Sequence, residues 1–404
     1  MIVSAAWALV ISIGLVLLLV RLRVHVGIAI LAGAFALAFL ASGLRMIATA
    51  LQATLLDINT WRLVVIVACA MGLSAAMDEL GLLKKLARSL ESIGSKASLY
   101  LIPAVIGLVP MPAGALVSAT MVRDIAWKWK LSPEEATFIN YWFRHIIEYS
   151  WPVYQSIILT SVIFSLSIEK TIRTLFPMTL VNALIGLLIG YFIFKNKEKP
   201  SSDDSRLPAV KILFEFTRAS WPILLLIVLI MVFKLDAAVA FVASLATLLA
   251  TSKLNRKSAL RVLRSALNPS IIILLIAVMM YKNTIERVGA ARSLYTLLSA
   301  HGIPPLMLVV ILPLIVGFAT GISIAFVGIT LPLLAPIITR ALAGHNAILL
   351  AYASGMSGIL LTPLHLCLIL SVEYFKASLT RTYKYLVPAV ALSETIALTL
   401  YFLT

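Results

Sequence analysis

Long apolar stretches recur along the whole chain and are separated by short polar segments. A stretch of about 20 apolar residues is long enough to cross the hydrocarbon core of a membrane. It crosses as a helix, because backbone amides left unpaired in lipid are costly. The pattern predicts about ten crossings, near residues 3–20, 25–41, 61–77, 133–163, 172–194, 219–233, 237–251, 269–283, 347–372 and 385–403. We therefore expect an all-α membrane protein.

Two further apolar stretches, 98–122 and 304–338, are interrupted midway by Pro-Met-Pro-Ala-Gly at 110–114 and by Thr-Gly-Ile-Ser at 320–323. Each stretch forms either a kinked crossing or a re-entrant hairpin. Basic connections mark the cytoplasmic side of a membrane protein. The basic connections fall on one side only if both stretches are hairpins, and they lie at 84–96, 123–130, 195–211, 253–264 and 376–384. The charge pattern therefore favours two hairpins and five crossings in each half.

The two halves of the chain carry matching positions in the same order. The pairs are Gly81 with Gly289, Gly94 with Gly302, Gly107 with Gly317, Trp151-Pro152 with Thr362-Pro363, and Arg173 with Lys384. Their offset drifts slowly from 208 to 211 residues, which indicates a duplication. The matches predict a first inverted repeat at 1–195, a cytoplasmic polar linker at 196–212 and a second inverted repeat at 213–404, with both termini outside.

Composition supports the membrane prediction and removes one alternative. Hydrophobic residues make up 61% of the chain and charged residues 12%, and the mean hydropathy is +1.05. The net charge of +16 would suggest nucleic-acid binding in a soluble protein. Here the basic residues lie beside helix ends, so no nucleic-acid partner is expected. Cys69 and Cys367 both lie in apolar stretches, and neither a disulfide nor a Cys-based zinc site is suggested.

Inverted repeats with interrupted helices are typical of secondary transporters, which bind substrate near the membrane midplane where the interruptions meet. Free N–H groups and helix N-termini there favour anions, and free carbonyls favour cations. The four interruptions lie at 110–114, 150–152, 320–323 and 361–363. Sodium, if it is the coupling ion, is expected at backbone carbonyls near Gly114, Ser150, Gly321 and Thr362.

Ionisable side chains inside predicted crossings are costly and mark candidate sites. Arg144, His145 and Glu148 lie three or four residues apart on one helix, so they can contact one another. We predict that Arg144 binds a substrate carboxylate or phosphate and that His145 and Glu148 relay protons; the alternative is a self-compensating structural Arg–Glu pair. The predicted substrate-binding set is Pro110, Met111, Pro112, Ala113, Gly114, Ser118, Arg144, His145, Glu148, Tyr154, Gln155, Thr320, Gly321, Ser323, Thr362, Pro363 and His365.

Two short segments, Val-Pro-Met-Pro-Ala-Gly-Ala-Leu-Val-Ser-Ala at 109–119 and Thr-Pro-Leu-His-Leu-Cys at 362–367, resemble the ion transporter superfamily of secondary carriers. That superfamily includes gluconate permeases, citrate carriers and divalent anion symporters, and the resemblance is to one of its uncharacterised integral-membrane branches. It implies a homodimer with a scaffold and an elevator-type transport domain that carries organic anions with sodium or protons. The amphipathic segments 80–90 and 288–298 are predicted to join these two parts, or only to anchor at the interface.

The predicted function is secondary active transport of a small organic anion across the plasma (inner) membrane, with membrane lipid as the surroundings and sodium or protons as coupling ion. No cofactor is implied. An intramembrane enzyme that uses Arg144, His145 and Glu148 and a channel are the alternatives. The chain lacks an HExxH, phosphate-loop or nucleophile motif, and it lacks an obvious selectivity filter.

Overall fold

The computed structural model describes residues 3–91, 96–108, 114–198, 209–342 and 345–403. These residues form twenty α-helices, ten in each half, and no strand is found among them. The first half contains α1 Ala5–Arg21, α2 Val26–Ser42, α3 Leu44–Leu56, α4 Ile58–Glu79, α5 Leu82–Glu91, α6 Lys96–Gly107, α7 Gly114–Lys128, α8 Pro133–His145, α9 Gln155–Ile163 and α10 Ile168–Phe194. The second half contains α11 Ala209–Ile227, α12 Ala237–Thr251, α13 Arg256–Ala266, α14 Pro269–Val288, α15 Ala290–Ala300, α16 Pro305–Thr320, α17 Ser323–Ala341, α18 His345–Leu361, α19 Leu366–Phe375 and α20 Leu379–Leu403.

Several helices begin at a side chain that accepts a hydrogen bond from the first turn. Asp57, Ser167, Asp236 and Asn268 cap α4, α10, α12 and α14 in this way. Ser132 forms a full capping box with Glu135 at the start of α8. Such caps satisfy amides that have no partner inside the helix. They therefore help to fix where α4, α8, α10, α12 and α14 start.

Seven helical segments within the described ranges are long and apolar enough to cross a membrane, and an eighth arises if the bent pair α15–α16 is one span. The seven are 58–79, 168–194, 210–232, 256–288, 323–340, 346–375 and 379–403. Segment 256–288 comprises α13 and α14, and segment 346–375 comprises α18 and α19. Helices α1, α2 and α12 have only 17, 17 and 15 residues. The crossing predicted at 133–163 is broken between α8 and α9. The all-helical membrane fold is confirmed, although several predicted crossings are short or broken helices.

In both interrupted stretches the helices on either side of the interruption pack on each other, and whether each pair is re-entrant stays a prediction. Helix α6 packs along α7, and α16 packs along α17. Helix α6 has 12 residues and is about 18 Å long, well short of the about 30 Å of a membrane core. In the second hairpin, Gly321 adopts a left-handed conformation with φ of 65° between α16 and α17. The first hairpin's turn at 109–113, with Pro110, Met111, Pro112 and Ala113, lies outside the described residues.

The helices of the two halves pack on one another reciprocally. Helix α2 packs on α14 as α12 packs on α4, and α3 packs on α14 as α13 packs on α4. Helix α1 contacts α15 as α11 contacts α5, and α7 contacts α19 as α17 contacts α9. Two copies of one ten-helix unit would make such exchanged contacts. The exact domain limits, the linker at 196–212, of which 199–208 lie outside the described residues, and the inversion of one half remain predictions.

Candidate functional site

Two helix breaks meet in the interior of the protein, one from each half. Helix α8 ends at His145 and tightens into a 3-10 turn, Ile146–Tyr149, before the chain leaves helical geometry and α9 begins at Gln155. Helix α18 ends at Leu361, and α19 begins at Leu366. Pro152 and Pro363 stand within these breaks. Helices α8 and α19 pack on each other, so the two breaks bring polar side chains from both halves together.

Arg144 lies between the first break and the first hairpin. Its side chain is only 3% exposed. The Nη1 atom donates to the Tyr154 hydroxyl at 3.1 Å and lies 3.5 Å from Glu148 Oε1. The Tyr154 hydroxyl in turn donates to the carbonyl of Gly107, at the end of α6, at 2.6 Å. The Nε atom of Arg144 is buried and has no hydrogen-bond partner in the part of the chain that the structure describes. Arg144 thus keeps a free, buried N–H donor.

Two histidines join the two breaks directly. His145 Nε2 and His365 Nε2 lie 2.9 Å apart. Each ring is held by its other nitrogen, because His145 Nδ1 donates to the Tyr141 carbonyl at 2.6 Å and His365 Nδ1 donates to the Gly321 carbonyl at 2.6 Å. Carbonyl oxygens only accept, which requires both Nδ1 atoms to carry a proton. Glu148 Oε1 lies 3.8 Å from His145 Nε2.

Tyr154 and His365 occupy matching positions, 211 residues apart, three residues after the tryptophan or threonine that opens each break. Both reach the hairpin of their own half, since Tyr154 donates to Gly107 and His365 donates to Gly321. The structure therefore brings together Arg144, His145, Glu148, Tyr154 and His365, five members of the predicted set. Their grouping follows from the breaks, which turn the chain back toward the hairpins.

The other predicted residues lie around this group or serve local structure. Gly321 contacts the second break, since a Cβ there would lie 3.3 Å from Thr362 Cγ2. Thr320 donates to Val316 in its own helix at 2.8 Å. Ser323 and Gln155 are half-buried at helix starts, and Pro363 is exposed. Gly114 is buried at the start of α7. Ser150 Oγ is 2.6 Å from Thr179 Oγ1, a contact between α10 and the first break.

Ser118 contacts a residue that sequence analysis missed. Its hydroxyl donates to Asn140 Oδ1 at 2.7 Å. The Asn140 amide donates to the Ala115 carbonyl and to Ser371 Oγ, both at 2.9 Å. Asn140 is fully buried and joins the first hairpin, α8 and α19. Asparagine inside a predicted crossing is itself a signal, since buried polar groups in lipid are usually paired or functional.

Two buried tyrosines at matching positions, Tyr141 and Tyr352, contact the break of the opposite half. The Tyr352 hydroxyl donates to the Glu148 carbonyl at 2.8 Å and lies 2.8 Å from Ser156 Oγ. The Tyr141 hydroxyl reaches the carbonyls of Ile359 and Leu360, both at 3.4 Å. Glu148 and Ile359 are also 211 residues apart. These contacts give the break of each half a hydrogen bond from the opposite half.

We expect Tyr352→Phe to lower the free energy of unfolding by about 1–3 kcal/mol, because the Glu148 carbonyl then loses a short hydrogen bond in a buried place. Tyr141→Phe should cost less than about 1 kcal/mol, since its bonds are long and the Ile359 carbonyl also accepts from the Thr362 amide. Thermal unfolding of both variants in detergent measures the difference. Equal losses would contradict this account of the two bonds.

A cavity of about 610 Å³ opens near the C-terminal end of α9. Its lining includes Arg62, Asp236, Lys282, Glu169 and Ser161. Arg62 forms an ion pair with Asp236, which joins α4 to the start of α12. The cavity therefore lies between α4, the start of α12, α14 and the pair α9–α10, and it is lined by charges of both signs.

A protein-family model and solved structures match the chain. Residues 3–403 match the model of a family described as a protein of unknown function, DUF401. No curated protein matches the chain. Among solved structures, the chain is similar to the YdaH transporter of Alcanivorax borkumensis, whose crystal structure is described as revealing an unusual topology. The TM-score is 0.56 at 12% identity, over 90% of this chain and 87% of that one. At this identity the likeness establishes a shared fold.

Proposed function

The chain belongs to the DUF401 family, and we propose that it is a secondary active transporter of small organic anions. The observation that carries the proposal is the Nε–H donor of Arg144, which has no hydrogen-bond partner among the described residues and is buried where two helix breaks and a hairpin end meet. A guanidinium recognises carboxylates and phosphates through paired N–H donors. Glu148 occupies one side of Arg144, so an anion would approach from the Nε side.

Transport by an elevator movement suits this arrangement. In this proposal α6–α10 and α16–α20 carry the substrate as one body, because the Tyr352 and Tyr141 contacts join the break of each half to the other half. Helices α1–α4 and α11–α14 form the scaffold and the homodimer interface. The amphipathic helices α5 and α15 lie between the two parts along the chain and act as levers. The two halves are inverted repeats, with both termini outside and the linker at 196–212 in the cytoplasm.

The coupling ion is sodium or a proton. Gly321, at the tip of the second hairpin, lies against Thr362 in the second break, and unwound backbone at such a place supplies the carbonyls that bind sodium in transporters. His145 and Glu148 are the proton alternative, since their side chains lie 3.8 Å apart beside Arg144. The two coupling ions are distinguished by whether added sodium or a lower pH enhances anion binding.

Thermal unfolding of the protein in detergent, screened against carboxylates and phosphates with and without sodium and across pH, tests the proposal. A ligand that binds only the folded state stabilises it by mass action, by about 2.7 kcal/mol at 100 times its Kd. We expect at least one anion to raise the Tm of the wild type. The same anion should have no effect on the charge-neutral double variant Arg144→Gln/Glu148→Gln, which leaves no unpaired buried charge.

Arg261→Gln is the matched control, because it removes a guanidinium from an exposed pair with Glu79 and not from the site. It should keep the full anion response. Uptake of the stabilising anion into proteoliposomes, driven by a sodium or proton gradient, then tests transport itself. Absence of any anion response in the wild type, or an undiminished response in the double variant, would overturn the assignment of Arg144.

A further inference from the structure

Three potential metal ligands converge where the two breaks meet. His145 ends α8, His365 stands just before α19, and Cys367 lies in the first turn of α19. One ligand atom from each side chain lies within 4.8 Å of the others. His145 and Cys367 are buried and His365 is half-buried, which leaves a side from which an ion can enter. Sequence analysis did not predict this cluster, because its members come from opposite halves.

The hydrogen bonds of the two histidines leave their facing nitrogens without a proton. Both Nδ1 atoms donate to backbone carbonyls, so in the neutral rings both Nε2 atoms carry lone pairs. These lone pairs face each other across 2.9 Å and repel unless a proton or a metal ion lies between them. A thiol beside them favours the metal, because imidazole and thiolate together are the preferred ligands of zinc.

We propose that His145 Nε2, His365 Nε2 and Cys367 Sγ bind one divalent transition-metal ion of the zinc type. Zinc–nitrogen bonds of about 2.0–2.1 Å in tetrahedral geometry place two ring nitrogens about 3.3 Å apart. The rings therefore need to separate by only about 0.4 Å from their present distance. The carbonyls of Tyr141 and Gly321 supply the outer hydrogen bonds that orient metal-binding histidines.

Glu148 is the candidate for the fourth position of this site, because its Oε1 lies 3.8 Å from His145 Nε2. Glu148 or a water molecule completes the coordination. With a Cys367 thiolate and a Glu148 carboxylate, the ion and Arg144 together leave a net charge of +1 at the loaded site. The metal site does not require that the protein transports a substrate. Its ligands come from both halves, so a bound ion would also hold the two halves together.

Cobalt binding to the full-length protein in detergent tests the site. The protein is purified through a tag without histidine, stripped with EDTA and titrated with CoCl₂. We expect one high-affinity Co²⁺ per chain with a sulfur-to-cobalt charge-transfer band, and its displacement by ZnCl₂. Cys367→Ser should abolish the band, and His365→Gln should weaken binding by at least about 10-fold, the loss seen even for outer-shell partners. Cys69→Ser and His301→Gln are matched controls that should bind as the wild type does.

X-ray absorption at the zinc edge of the wild type keeps the test independent of variant folding. One sulfur and two imidazole ligands would support the site. Failure of the wild type to bind Co²⁺ or Zn²⁺, or a charge-transfer band that persists in Cys367→Ser, would overturn it, and a proton would then be the occupant between the histidines. The measurement uses no transported substrate, so its failure is distinct from failure of the proposed function.

Discussion

Arg144→Met is expected to lower the free energy of unfolding by about 3–5 kcal/mol, the cost of removing one partner from a buried ion pair. The side chains of Arg144 and Glu148 are 3% and 8% exposed. Methionine roughly matches the length of the arginine stem but carries no charge, so the Glu148 carboxylate remains buried without its counter-ion. Denaturant or thermal unfolding in detergent, followed by tryptophan fluorescence, measures the loss.

A double-mutant cycle separates the charge effect from a packing effect. Arg144→Met/Glu148→Gln should recover most of the lost stability, because neither remaining side chain is charged. Arg261→Met removes the partner of Glu79 and should cost less stability than Arg144→Met, because the Arg261 side chain is 57% exposed and solvent screens the pair. A double variant as unstable as Arg144→Met would mean that the loss arises from packing, and the buried pair would not be its cause.

Gly358→Ala is expected to destabilise the protein by about 3 kcal/mol or more, at the upper end of what overpacking costs. A Cβ at Gly358 would lie 2.1 Å from the Leu314 carbonyl oxygen and 2.7 Å from the Phe318 amide nitrogen. Both are backbone atoms of α16, so no side chain can move aside and the two helices must separate. The Tm in detergent and the yield of monodisperse protein measure the effect.

Gly14→Ala is the matched control, because Gly14 lies within α1 and a Cβ there meets nothing within 4 Å. Alanine favours a helix over glycine by about 1 kcal/mol, so this variant should be as stable as the wild type or more stable. The same glycine-to-alanine change is thus expected to lower the free energy of unfolding at Gly358 and not to lower it at Gly14. A Gly358→Ala protein that melts with the wild type would refute the close approach of α16 and α18.

The helix breaks and the main ionisable group could be predicted from sequence. Pro152 and Pro363 mark the breaks, and the spacing of Arg144, His145 and Glu148 indicates one cluster. The offset of 211 residues also pairs Tyr154 with His365. These signals are local or periodic, so they can be recognised without knowledge of the fold.

The contacts between the halves could not be predicted. His145 and His365 are 220 residues apart, and no spacing rule brings two residues together over that distance. A lone cysteine in an apolar stretch belongs to no motif, so the sequence does not single out Cys367 as a ligand. The 3-10 turn after α8 also depends on tertiary contacts, since Tyr352 binds the carbonyl of Glu148 that the turn leaves free. The lengths of α1, α2 and α12, which are 17, 17 and 15 residues, agree with the apolar stretches in the sequence.

Tyr141 and Tyr352 each bind the break of the opposite half from the same position in their own half. Under the proposed duplication, two separate half-length chains docked in this way would make the contact twice with one tyrosine each. The tyrosine contact would therefore already exist before two half-length chains fused into one. An ancestor inserted into the membrane in both orientations could therefore have assembled this core as a dimer, and fusion would have needed only a polar connection.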